Sequence, residues 1–149
     1  MPAKKYKVLI VDDSDDDRFL LKRALHKSLC CEVIGCAEDG QKAIDYLCGS
    51  GLYADRQRFP LPDLMLLDLK MPRVNGFEVL NWLRERTGPI LKVIVLSSSF
   101  LPEDIARTLS MGADHYMVKA DAALTAKSIE SFLNPAGHAT TPERIYTPA

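Results

Sequence analysis

Apolar residues in this chain gather into five short runs, and most of these do not alternate with polar positions. The runs are YKVLIV (6–11), CEVIGCA (31–37), DLMLLDL (63–69), KVIVLSS (92–98) and HYMV (115–118). The first, third and fourth are nearly continuous in Val, Ile and Leu, as expected of strands covered on both faces by helices. Between the runs, apolar residues recur at three- and four-residue spacing, which predicts five helices. Leu21, Leu25 and Leu29 mark the first, Ala43, Ile44 and Leu47 the second, and Phe77, Leu80 and Leu83 the third. Ile105 and Leu109 mark the fourth, and Leu124, Ile129 and Leu133 the fifth. Five strand-then-helix units predict an α/β fold with a doubly wound parallel sheet, because parallel strands need crossovers and helices supply them. Such sheets bind ligands outside the carboxyl ends of their strands. The chemistry is therefore expected just past each run.

Two segments break the pattern. GSGLYADRQRFPLP (49–62) reads as a Gly- and Pro-flanked connector, mobile or else an interaction surface. NPAGHATTPERIYTPA (134–149) reads as an irregular tail following one domain over residues 1–133. The length of 149 residues suits a single domain with a real core.

Composition narrows the function. A net charge of −1 offers no basic field, which argues against nucleic acid. No apolar run approaches the length of a bilayer span, and MPAKKYK carries charge without the apolar stretch of a secretory signal. No membrane association and a cytoplasmic location are the expectation. Cys30, Cys31, Cys36 and Cys48 lack zinc-site spacing and read as buried, reduced thiols, with a redox or disulfide role as the alternative.

The strand ends are acidic. The first run leads into Asp12 and Asp13, and Asp68 interrupts the third. Ser97 closes the fourth and Lys119 follows the fifth. In a parallel sheet these ends share one edge, so three carboxylates, a hydroxyl and an ammonium converge. Asp15, Asp16 and Asp17 have a structural explanation in the first turn of a helix, where the macrodipole favours negative charge. Ser14 fits an N-cap, with Asp17 in a capping-box role. Asp12, Asp13 and Asp68 are either solvated strand-end charge and caps, or a site for a hard divalent cation such as Mg²⁺, which prefers oxygen ligands.

VDDS, LLDLKMPRVNG, VLSSS and YMVK, in this order and each at a predicted strand end, resemble the receiver domain of two-component response regulators of the chemotaxis type. The likeness covers about residues 6 to 133. It implies the flavodoxin-like strand order 2-1-3-4-5 with helices on both faces, and a stand-alone receiver. It also implies roles. Asp68 accepts a phosphoryl group from a phosphohistidine on a sensor histidine kinase or histidine phosphotransfer protein. Asp12, Asp13, Asp68 and the backbone carbonyl of Lys70 hold Mg²⁺, Lys119 contacts the phosphoryl oxygens, and Ser97 and Tyr116 form the switch that alters a docking surface. The only chemistry expected is self-catalysed transfer and autodephosphorylation, so the protein signals and is not an enzyme. From position alone, Lys119, Ser97 and Tyr116 also fit a strand-end lysine, a turn serine and a packing residue.

The sequence departs from the family's pattern after Lys119, where Ala120 stands in place of proline. A cis bond there would cost about 2.5–4 kcal/mol, so trans geometry is an open alternative. The 49–62 loop and AIDYL before it resemble receivers that partner phytochrome-type kinases, and a homodimer through the fourth and fifth units is a further implication. Three other classes compete. A phosphorylation-independent adaptor would keep only the fold. An aspartyl-nucleophile phosphatase of the haloacid-dehalogenase kind needs a second Asp where Lys70 stands, and an FMN-binding protein needs a hydroxyl- and glycine-rich phosphate loop where five aspartates stand.

Overall fold

The computed structural model describes residues 5–86 and 91–134. The strands are β1 (Tyr6–Val11), β2 (Cys31–Ala37), β3 (Leu64–Leu67), β4 (Lys92–Ser97) and β5 (His115–Val118). They alternate with α1 (Asp15–His26), α2 (Gly40–Cys48), α3 (Gly76–Arg84), α4 (Pro102–Ser110) and α5 (Ala122–Leu133). The strands form one sheet in the order β2-β1-β3-β4-β5, with every pairing parallel. The doubly wound 2-1-3-4-5 fold is as the sequence predicts. No helix among the described residues is long and apolar enough to cross a membrane.

Side chains alternate across a strand, so each nearly continuous apolar run feeds two cores. Leu9, Val11, Met65, Leu67, Val93 and Val95 pack against Ala43 and Leu47 of α2, Val79 and Leu80 of α3, and Ile105 of α4. Val8, Ile10, Leu64, Leu66, Ile94 and Leu96 face the other way, against Leu21 and Leu25 of α1 and Ala126, Ile129 and Leu133 of α5. Burying one such Leu or Ile contributes about 1.5–3 kcal/mol.

Four expectations need correction. Leu29 lies beyond α1 and is 84% exposed, and Leu124 is 56% exposed on α5, where Thr125 and Ala126 take the inward positions instead. Leu29 falls past the end of its helix, whereas Leu124 sits on α5 one position off the true core stripe. Strand β3 is shorter than its run, so Asp68 and Leu69 lie just past it. The 49–62 connector is tied down. It begins with a 3-10 turn (Gly51–Ala54), Tyr53 and Phe59 pack on the Tyr46 ring, and the Tyr46 hydroxyl donates to the Pro60 carbonyl at 2.9 Å. Arg56 donates to the Tyr46 and Leu47 carbonyls at 2.8 and 2.9 Å, satisfying the carboxyl end of α2. The cysteines are free, but only Cys31 is buried and Cys48 is exposed. Burial, with Cys30 beside it, pushes the Cys31 thiol up to about 12, so it stays protonated and inert. Residues 135–149, most of the expected tail, lie outside the described residues.

Candidate functional site

Hydrogen-bond ladders that run past the ends of the strands place the acidic residues. The Asp12 N–H donates to the Ala37 carbonyl at 3.0 Å, and the Asp68 N–H donates to the Val11 carbonyl at 2.9 Å. Asp12 and Asp68 therefore emerge side by side from the neighbouring strands β1 and β3. The Lys119 N–H donates to the Ser97 carbonyl at 2.8 Å, which extends the β4–β5 pairing in the same way. The loop after Asp68 turns sharply into α3. A side chain on Gly76 would put its Cβ 2.4 Å from the Asp68 carbonyl oxygen, so only glycine permits this approach. Asn75 and Glu78 close the turn with a reciprocal capping box.

Oxygen atoms of Asp12, Asp13 and Asp68 lie within 4.8 Å of one another. Asp12 and Asp68 are buried and Asp13 is exposed. Lys119 supplies one positive charge: its Nζ is 2.9 Å from Asp12 Oδ2, 3.1 Å from Asp17 Oδ2 and 3.7 Å from Asp68 Oδ2. Burial pushes the Asp68 carboxyl up to about 6; Lys119 opposes the shift, Asp12 and Asp13 add to it, and a hydrogen bond from the Lys70 backbone N–H opposes it. Burial alone would lower the Lys119 ammonium, but the hydrogen bond to Asp12 and the charge of Asp68 outweigh it and hold the pKa above the usual lysine value. The site thus holds more negative charge than its own cation balances. An all-oxygen set of three carboxylates, two of them buried, fits a hard divalent ion such as Mg²⁺. Lys70 is exposed two residues past Asp68.

Residues 8–129 match the response regulator receiver domain. The chain belongs to that family. This receiver is 35% identical over 117 residues to a protein-glutamate methylesterase/protein-glutamine glutaminase of Geobacter sulfurreducens, covering 78% of the chain but only 28% of that relative. Among solved structures, the Mn²⁺-bound form of response regulator Rcp1 matches with a TM-score of 0.73 and 30% identity, over 91% of this chain and 97% of that one. The phosphorylated cyanobacterial phytochrome response regulator RcpA matches with a TM-score of 0.73 and 29% identity, over 92% and 97%.

The other expected residues of the receiver lie along β4 and β5. Ser97 is buried, and its Oγ accepts from the Ser99 N–H at 3.1 Å. The Tyr116 ring is fully buried, with its hydroxyl donating to the Ser99 carbonyl at 2.7 Å. Ser99 Oγ donates to Asp104 Oδ2 at 2.6 Å in the first turn of α4. Ser99 thus joins Ser97, Tyr116 and α4. The Lys119–Ala120 peptide is trans, as is every other described peptide bond.

Two features escaped the sequence. Asp17 has half of its expected capping role: its N–H donates to Ser14 Oγ at 3.2 Å, but its carboxylate bonds Lys119, and the Ser14 N–H donates to Asp12 Oδ1 instead. Local spacing gives no sign of the Asp17–Lys119 contact, whose partners stand 102 positions apart. Arg73 reaches back to Asp39 at the start of α2, with Nη2 2.6 Å from Oδ2. No local pattern announces that contact.

Proposed function

We propose that this receiver accepts a phosphoryl group on Asp68 from the phosphohistidine of a sensor kinase or phosphotransfer protein, in a Mg²⁺-dependent reaction. The observation that carries the reading is the meeting of three carboxylates, Asp68 among them, with one ammonium at the carboxyl edge of the sheet. An Asp68 oxygen attacks phosphorus. The new P–O bond forms as the P–N bond to the histidine breaks, and the imidazole leaves with the bonding pair and takes a proton. With a pKa of about 6, Asp68 is mostly ionised at pH 7 and able to attack. Asp12, Asp13, Asp68 and the Lys70 carbonyl would hold Mg²⁺, which when bound supplies positive charge beside the transferring oxygens. Lys119 pairs with another phosphoryl oxygen, because phosphoryl transfer asks the protein mainly to position groups and neutralise charge.

The signal leaves through Ser97. The Ser97 hydroxyl donates a hydrogen bond to a phosphoryl oxygen on Asp68, and the Ser97–Ser99–Tyr116 chain of contacts carries the change to Phe100, Leu101 and α4. The phosphoryl group shifts that equilibrium only by its different contacts in the two states. Phe100 and Leu101 just before α4 and Leu124 in the first turn of α5 are exposed apolar residues, which suits a docking surface for a target or a second copy. The likeness to RcpA supports a phytochrome-type kinase as donor.

Incubation with a small acyl phosphate and Mg²⁺, followed by intact-mass measurement, tests the reading. One labile phosphoryl group is expected, absent after chelation and absent in Asp68→Asn. A chain that stays unlabelled would favour the adaptor, and sustained phosphate release at enzyme-like turnover would favour the phosphatase.

A further inference from the structure

An ammonium has three donor protons and no acceptor. Two Lys119 protons have partners within hydrogen-bonding distance, Asp12 Oδ2 at 2.9 Å and Asp17 Oδ2 at 3.1 Å. Asp68 Oδ2, at 3.7 Å, lies beyond that distance. The two partners differ in origin. Asp12 leaves the end of β1 in the buried pocket, whereas Asp17 belongs to the first turn of α1, where the Ser14 cap fixes its backbone. Asp17 therefore draws the ammonium outward, toward the helix and away from the nucleophile.

We propose that Asp17 is a positioning residue: it holds the Lys119 ammonium short of Asp68, which keeps that donor off the attacking oxygen while keeping the charge within reach of the incoming phosphoryl group. The proposal rests on Asp68 as the phosphoacceptor. Without Asp17, the acceptors left to Lys119 are the two buried carboxylates, and the ammonium closes the gap to Asp68. A carboxylate oxygen that accepts a charge-assisted hydrogen bond has its lone pair engaged and attacks more slowly.

Asp17→Ala removes the acceptor without disturbing the cap, because the N–H that Ser14 accepts belongs to the backbone. Labelling by a small acyl phosphate in saturating Mg²⁺ is expected to slow roughly threefold to tenfold, the range of one partly exposed charge-assisted bond. Asp17→Glu, which keeps the charge, is expected to recover part of the rate. In a Lys119→Gln background Asp17→Ala is expected to cause no further slowing, a non-additivity that a general loss of stability or of surface charge would not produce. Wild-type rates in Asp17→Ala, or equal slowing with and without Lys119, would overturn the proposal. A wild-type chain that takes no label would instead remove the Asp68 assignment, and this proposal with it.

Discussion

Asp39 and Asp68 are buried to similar depth, at 1% and 6% exposure, and each stands in a loop at the carboxyl edge of the sheet. Their surroundings differ in charge balance. Asp39 has its own partners: Oδ1 accepts the Lys42 N–H at 2.8 Å, capping α2, and Oδ2 meets the Arg73 guanidinium at 2.6 Å. One cation serves one carboxylate. Asp68 shares the single ammonium of Lys119 with Asp12 and Asp17, while Asp13 adds further negative charge nearby. A buried charge that is paired and hydrogen-bonded can be purely structural, whereas one left short of positive charge costs stability unless something else supplies it. Asp39 is what the fold needs. Asp68 is a charge the fold tolerates without balancing it.

The largest effect that follows is on Asp68→Asn, which should separate function from stability. It is expected to abolish the proposed phosphoryl labelling, and it also removes an under-compensated buried charge. With its carboxyl pushed up to about 6, ionised Asp68 weighs against folding at pH 7. The variant is therefore expected to be more stable than the wild type by roughly 2–3 kcal/mol in metal-free buffer, read from urea unfolding. A destabilised Asp68→Asn would show that Lys119 already balances the site, and the contrast with Asp39 would collapse.

The same imbalance sets a pH dependence. In the folded state Asp68 keeps its proton up to about pH 6, whereas the unfolded chain releases it near pH 4. Between these values the folded protein binds more protons, so this group's contribution to stability is full below about pH 4 and is lost as pH rises to about 6. Across the window the loss is about 1.4 kcal/mol per pH unit at most. Subtracting the profile of Asp68→Asn from that of the wild type isolates it, since other carboxylates titrate in both. A flat difference would mean that Asp68 titrates as an ordinary surface aspartate.

Much of this site was legible because backbone periodicity dictates it. Val8–Val11 and Leu64–Leu67 are apolar without alternation, which requires helices on both faces and so a parallel sheet, and a parallel sheet gathers Asp12, Asp68, Ser97 and Lys119 at one edge. What was not legible depends on where long side chains reach across elements. Asp17 fits a cap by every local rule, and only the fold reveals that its carboxylate meets Lys119, 102 positions away. Leu29 failed for a different reason: the α1 spacing continues past His26, but Lys27 closes the helix by donating to the Ala24 and Leu25 carbonyls. Nothing in the local pattern distinguishes a stripe that ends from one that goes on. The 49–62 segment reads as loose because of its Gly and Pro content, and the anchoring of Arg56 on the end of α2 depends on a tertiary approach.

The smallest effect concerns the balanced side of the comparison and separates its two components. Arg73 is the only non-glycine among the described residues with positive φ, at 65°. It thus combines an ion pair with an unfavourable backbone. Arg73→Ala loses the pair and keeps the backbone cost, while Arg73→Gly loses the pair and relieves it. The left-handed conformation costs an ordinary residue about 1–2 kcal/mol. Glycine gives back about 0.4–1 kcal/mol of that through the greater freedom of the unfolded chain. Arg73→Gly should therefore exceed Arg73→Ala in stability by only about 0.5–1 kcal/mol, with both below wild type because Asp39 loses its cation. Adding Asp39→Asn to Arg73→Ala should recover part of the loss, since an amide oxygen still caps the Lys42 N–H and leaves no buried charge to balance. If the second substitution makes matters worse, Asp39 does not depend on Arg73 for its charge, and the two aspartates are not the opposites that their partners suggest.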